Sequence, residues 1–250
     1  MEFPGNFIGI QNTANTNYLS GVHSLYEVGQ GVSDGTWPTN YKINQSLRFD
    51  SASTSYLSKT FSTTSSSRKT QTISCWIKIS KISGSPRILF LRNSDGTTQG
   101  GLYISGDKIK YFGRVGGTGV GDVNTNGVVH DFSSWYNIVL TLDVSNLSIK
   151  IYINGKEQEL TTNATIVDTF HPLFIASEVN IGREPVAGGS LFDGYIAEFN
   201  FIDGLALDPS YFGFTNPTTQ KWSPKRYTGE YGPNGFYLDF AGTNVGTGAV

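Results

Sequence analysis

The sequence predicts an all-β protein built as a two-sheet antiparallel sandwich, with irregular N- and C-terminal extensions. Three observations carry this. Short stretches with period-two apolar alternation recur from Ser46 onward, each bounded by Gly, Asn, Asp or Ser. Helix signals are few, and no rhythm of alternating strand and helix patterns is present. Charged residues are 15% and aromatics 13% of the 250 residues, a mixture that suits many turns and a core whose buried area comes largely from rings.

In chain order, "SLRFD" places Leu47 and Phe49 on one face, and "QTISCWIKIS" alternates Ile73, Cys75, Ile77 and Ile79 against Ser74, Trp76 and Lys78. "RILFLR" is apolar on both faces and suits a central strand. "GLYIS" and "KIKYFGR" flank Gly106-Asp107 as a hairpin. "WYNIVLTLD" sets Tyr136, Ile138, Leu140 and Leu142 on one side, and Ile149, Ile151 and Ile153 alternate up to Asn154-Gly155, a pair that tolerates the positive φ of a type I′ turn. In "SLFDGYIAEFNFIDGLALDP" the apolar face slips from Phe192, Gly194 and Ile196 to Phe199 and Phe201, which predicts a β-bulge near Ala197-Glu198. Asp208 caps a turn begun by Pro209, and Ser24 with Glu27 has capping-box spacing for a helix of a turn or two.

The flanks differ from this core. Residues 1–45 hold Phe3, Phe7, Ile8, Ile10, Tyr18, Leu25, Tyr26 and Trp37 without periodicity, so they must dock on something to offset the cost of ordering their backbone. The expectation is an assembly arm that orders against a neighbouring subunit or another protein. Residues 209–250 are rich in aromatics and proline up to Phe240, which predicts an irregular wrap around the sandwich followed by a patternless tail. Trp37 and Trp222, in these outer segments, are expected to pin them to the sandwich or to a neighbouring protein.

Composition excludes several function classes. A net charge of -2 without a basic run argues against nucleic acid, since phosphate binding needs concentrated Lys and Arg. No apolar stretch approaches a membrane span, and "MEFPGNFIGI" lacks the charged and apolar regions of a signal peptide. Cys75, the single cysteine, can form no intrachain disulfide and reads as a small buried apolar group.

The motifs "SLRFD", "TISCWIKI", "SSWYNIVLTLD", "IKIYINGKEQEL", "VNIGR" and "LFDGYIAEFNFIDGLAL" follow in the order of laminin-G-like, concanavalin A-like jelly-roll domains, which the chain resembles over residues 46–208. The resemblance implies a jelly-roll sandwich in which the bulged strand pairs near the first strand. "SGVHSLYEVGQGVSDGTWP" and the stretch "GLALDPSYFGFTNPTTQKWSPKRYTGEYGPNGFYLDFAG" are similar to segments of structural and fibre proteins of tailed, especially marine, bacteriophages. That implies a component on the outer surface of a virion, such as a head decoration, a head fibre or a tail-fibre-associated protein, with other virion proteins as partners. The stop at Val250, where related connectors lead to further domains, suggests a compact component.

The superfamily includes glucanases, which need two carboxylates at close range. Glu157 and Glu159 lie beside a hairpin turn, the series Glu198, Asn200 and Asp203 has broken spacing, and His23, His130 and His171 form no motif. No enzyme activity and no organic cofactor is expected. Calcium, which many laminin-G-like domains bind at a sheet rim, has weak candidates in Asp50 and Asp95. A glycan face needs rings for sugar C–H groups and polar groups for hydroxyls; the candidates are Trp76, Asn93, Tyr103, Tyr111 and Arg114, although the favoured reading of Trp76 and Trp135 is as core residues. One shallow site of this kind binds weakly, so host-surface glycan adhesion implies a homo-oligomer or a clustered array. A free carbohydrate-binding module is the alternative function, and a glycan hydrolase is a third reading kept only through the superfamily resemblance.

Overall fold

The computed structural model describes residues 41–61, 67, 69–168, 172, 178–186, 189–216 and 219–242. The chain divides into two units, Met1–Lys42 and Ile43–Val250, and the strands below all belong to the second. Phe3, Phe7, Ile10, Tyr18, Leu25, Tyr26 and Trp37, with His23, the Ser24–Glu27 cap and His171, lie outside the described residues.

The strands in chain order are β1 (Leu47–Phe49), β2 (Leu57–Thr60), β3 (Thr70–Ile79), β4 (Arg87–Arg92), β5 (Gln99–Ser105), β6 (Lys108–Val115), β7 (Thr118–Val128), β8 (Tyr136–Asp143), β9 (Ser148–Ile153), β10 (Lys156–Glu157), β11 (Leu160–Ala164), β12 (Glu178–Ile181), β13 (Gly194–Asp203), β14 (Gly213–Thr215), β15 (Trp222–Pro224) and β16 (Phe236–Leu238). One sheet runs β1-β13-β3-β8-β9-β10, with β16 also paired to β13; the other runs β11-β7-β6-β5-β4-β12-β2. All pairings are antiparallel. This is the jelly-roll sandwich of the concanavalin A-like class.

The core between the sheets follows the alternation in the sequence. Ile73, Cys75, Ile77, Ile138, Leu140, Ile149, Ile151, Ile196 and Phe199 share one buried cluster, and each large aliphatic side chain in it contributes about 1.5–3 kcal/mol of transfer free energy. Burial pushes the Cys75 thiol up to about 12, as an apolar packing role requires. Asn154 (φ 50) and Gly155 (φ 76) form the β9–β10 turn.

The bulge in β13 has an architectural consequence. Ala197 faces Trp76 and Asn200 faces Ser74, so Glu198 and Phe199 together oppose Cys75 alone. Glu198 takes a left-handed φ of 49. Before the bulge, residues 194–196 pair with β1; after it, residues 199–201 pair with β16. The extra residue thus lets one strand edge serve two partners from opposite ends of the sandwich's sequence. Phe236 of β16 stacks on Phe201 at 5.2 Å and closes that side of the core.

A second apolar cluster lies on the outer face of the β3/β8/β9/β13 sheet. Val139, Tyr152 and Ile202 point away from the main core and are covered by Phe212 and Tyr227, with Leu207 and Tyr231 beside them. Backbone atoms of residues 205–207 hydrogen-bond to Thr72 and Thr141 at 2.6–2.8 Å, and Tyr231 donates to Asn200 Oδ1 at 2.7 Å. Trp222 donates from Nε1 to Asn137 Oδ1 at 3.0 Å, and Asn137 is fully buried. Its ring fits only because Gly155 and Gly213 have no side chain: a Cβ on Gly155 would lie 2.3 Å from it. Polar side chains at the outward positions of β3 and β8 therefore become internal: Thr72, Thr141 and Asn137 find partners in the returning chain, and Ser74 finds one in Asn137.

Candidate functional site

At one end of that same sheet the wrap is replaced by an open row of side chains. Ile77 of β3 pairs with Tyr136 of β8, so one step beyond come Lys78 and Trp135; Lys78 in turn pairs with Tyr195 of β13, and Tyr195 with Arg48 of β1. Because Ile77 and Ile196 face the core, these four neighbours face outward. The result is an alternation of ring, cation, ring and cation across four strands, spanning about 14 Å at the usual strand spacing. Trp135 is 36% exposed. Its ring centroid stands 6.4 Å from that of Tyr195 at an interplanar angle of 56°, and the Arg48 guanidinium lies 5.3 Å over Tyr195.

The loops on either side fix this platform. Before Trp135, the Asp131 carboxylate accepts from Ser133 N and Oγ and from Ser134 Oγ, while the Tyr136 hydroxyl accepts from Asp131 N at 2.9 Å. The two hydroxyls and the backbone donor hold the Asp131 carboxyl down at about 2. Beside Tyr195, Asp193 accepts from Ser51 Oγ at 2.6 Å and from Arg48 Nη1 at 2.9 Å, and its carboxyl is lowered by the Ser51 hydroxyl against burial, with Arg48 adding to it. Arg48 Nη1 also donates to the Phe49 and Gly194 carbonyls. Lys78 makes no ion pair among the described residues.

The outer face of the opposite sheet carries a polar network. Arg87 lies 4.2 Å over the Tyr103 ring and donates to Glu184 from Nε and Nη2; Lys110 Nζ lies 5.9 Å from the centroid of the same ring and pairs with Asp122 at 3.0 Å. Burial opposes the charge on Lys110, yet Asp122 and Tyr103 outweigh it and its pKa rises. Burial also raises Tyr103. Asn163 donates to both Asp122 and Asn124. Apart from Arg87 Nη1, which is buried without a hydrogen-bond partner among the described residues, these groups satisfy one another, and Arg87 occupies the face of Tyr103 that a sugar would need.

The predicted glycan residues do not converge. Trp76 points outward from β3, but it is only 8% exposed and lies on the other sheet from the remaining four. Tyr111 points inward and is wholly buried in the main core, because β6 alternates with Ile109 and Tyr111 inside and Lys110 and Phe112 outside. Tyr103 faces outward but is 9% exposed beneath Arg87. Arg114 pairs with Gln99, at the far end of β5 from Tyr103, and is exposed with Phe112 at 5.8 Å; Asn93 spends its Oδ1 on Thr98 N in its own turn. Trp135 corrects the core reading: it is exposed, whereas Trp76 is buried by its position on the sheet. Tyr195 and Arg48 were invisible as a pair, since 147 positions separate them and only the β1–β13 register joins them.

The weak calcium candidates also stay apart. Asp50 accepts from Ala52 N at 3.0 Å, and Asp95 accepts from Thr97 N and Oγ1 at 2.7 Å, each closing its own turn. No group of three metal-ligating side chains occurs among the described residues. Of the acidic candidates, Glu157 pairs with Lys150 at 3.1 Å on an exposed edge, and Glu198 and Asp203 are buried and engaged by Tyr237 and Asn234 of the wrap. No described helix is long and apolar enough to cross a membrane.

Residues 29–210 match the Laminin_G_3 family model, described as the concanavalin A-like lectin/glucanases superfamily. The chain belongs to this family. Similar solved structures include domains LG4-5 of the mouse laminin alpha1 chain, at 16% identity over 68% of this chain and 44% of that one, with a TM-score of 0.50. Another is a candidate carbohydrate-binding protein from Bacteroides ovatus, at 16% identity over 82% of this chain and 54% of that one, with a TM-score of 0.55. The chain spans about half the length of these solved chains, and at this identity the likeness is one of fold. No curated protein sequence matches the chain.

Proposed function

We propose that this protein is a non-catalytic, lectin-like domain that recognises glycans on the Trp135–Tyr195 platform. The observation that carries the reading is the pair of rings 6.4 Å apart on an outer sheet face, flanked by Arg48 and Lys78 and held by two internally satisfied loops. Exposed rings stack on the C–H faces of sugars, and rigid supports reduce the ordering cost of binding. A hydrolytic role fits less well, because Glu198 and Asp203 are engaged beneath the wrap and Glu157 is paired with Lys150 on an edge.

The domain is further proposed to sit on the outer surface of a tailed-bacteriophage particle, with other virion proteins as neighbours. Support comes from the similarity of residues 20–38 and 204–242 to phage structural proteins. A shallow platform of two rings binds one glycan weakly, so the reading includes a homo-oligomer or a clustered array that multiplies the contacts. Two experiments test it. An array of host-surface glycans probed with the purified chain should show binding that Trp135→Ala weakens about tenfold; binding undiminished by this change would contradict the site. Mass spectrometry of purified particles should find the chain at stoichiometric copy number, and its absence from particles would remove the virion assignment while leaving the glycan reading to the array.

A further inference from the structure

The glycan reading leaves the chemical class of the sugar open, and the hydrogen-bonding inventory of the platform narrows it. Lys78 is a donor only, and it has no acidic partner among the described residues. Arg48 commits Nη1 to Asp193 and two carbonyls, while its Nε and Nη2 make no hydrogen bond among the described residues; its side chain is 40% exposed. Asp193, the nearest acceptor, is already engaged on both oxygens by Ser51 and Arg48. Asp131, four residues before Trp135, accepts on one oxygen from Ser133 and on the other from Ser134. The charged groups left unpaired here, Lys78 and the free edge of Arg48, are donors, while the remaining acceptors are mainly neutral hydroxyls such as those of Tyr195, Ser133 and Ser134. A neutral sugar, whose hydroxyls donate as readily as they accept, leaves part of that inventory unmatched.

Resting on the glycan reading, we propose that the platform selects sugar chains bearing an acidic group, with Lys78 and Arg48 meeting the anion while Trp135 and Tyr195 hold the ring. Register sets Lys78 between the two aromatic strands, so an acid group carried on a stacked sugar falls beside an unpaired ammonium. Carboxylates and sulfate esters share this chemistry, being acceptors with negative charge.

The test titrates the full chain, followed by tryptophan fluorescence and calorimetry, with three oligosaccharides of matched length: an oligogalacturonate, a sulfated galactan fragment and a neutral galactan fragment. At least one acidic oligomer should bind about tenfold more tightly than the neutral one, as a charge-assisted contact implies. That preference should shrink severalfold in Lys78→Met, which keeps the apolar stem, and at high salt. The carboxylate and sulfate arms then say which acid is preferred. Equal affinity for neutral and acidic oligomers, lost in Trp135→Ala, overturns the acidic selectivity and leaves the platform standing. Acidic binding indifferent to both variants places the anion elsewhere and overturns the inference. Binding of none of the three removes both readings.

Discussion

The outer face of the β3/β8/β13 sheet holds two regions built from similar residues and put to opposite uses. In the sealed region, Phe212 and Tyr227 bring rings down onto Val139, Tyr152 and Ile202, while Trp222 sits over Gly155 and Gly213 and its indole gives buried Asn137 a partner. In the open region, Trp135 presents its ring to solvent and Tyr195 lies half-buried beside it, with Lys78 and Arg48 alongside. Aromatic content does not separate the two. What separates them is whether a later segment of chain returns to cover the strand, and whether each polar group has an internal partner. A ring whose neighbours are all satisfied contributes stability; a ring beside unpaired donors is free to contribute recognition.

The largest expected effect breaks the sealed region. Trp222→Ala removes the ring and leaves Asn137 Oδ1 buried without its donor, at a cost of about 3 kcal/mol in urea unfolding. A cost near zero would mean the wrap is not docked as described. A smaller loss is expected for Gly155→Ala, where a left-handed φ of 76 and the Trp222 ring both oppose a Cβ; about 1–2 kcal/mol follows from the backbone alone. Trp135→Ala sharpens the contrast: stability should change by no more than about 0.5 kcal/mol, as for an exposed site, while glycan affinity falls about tenfold. Stability loss as large as that of Trp222→Ala would mark Trp135 as structural.

Two smaller effects follow from protonation. Asp131, lowered to about 2, remains a carboxylate well below the ordinary value of 3.8, so its support of the Trp135 loop is present above that value and is lost only as pH falls through about 2. Fluorescence of the Trp135 environment should therefore be flat from pH 8 to pH 4; a transition near pH 4 would show that the Asp131 turn is not formed. At pH 8 a thiol with a value about 12 is thiolate in roughly one part in ten thousand, so Cys75 should resist thiol reagents until the chain unfolds. Rapid modification of the folded protein would contradict its burial.

Much of the sandwich was legible because alternation reports a half-buried strand directly. Ile149, Ile151 and the Asn154-Gly155 turn, and the phase slip from Ile196 to Phe199, translate one for one into strand, turn and bulge. β7 was not legible: "TGVGDVNTNGV" offers Val120 and Val123 among glycines and amides, and its strand conformation comes from pairing with β6 on one side and β11 on the other. The site was less legible still. Parity correctly turned Trp76 outward, but only the tertiary structure shows that it is buried there. Parity along β6 sends Tyr111 inward with Ile109, and that reading was available in "KIKYFGR". Arg48 and Tyr195 meet through a register that no local pattern announces.

The central claim is that recognition belongs to the open end of this face, and tryptophan indole NMR tests it most directly. The chain has four tryptophans, each with one indole N–H signal. On addition of a bound oligosaccharide, the Trp135 signal, assigned by its loss in Trp135→Phe, should shift in fast exchange while those of Trp76 and Trp222 stay in place. A shift at Trp76 or Trp222 with Trp135 unmoved would contradict the account.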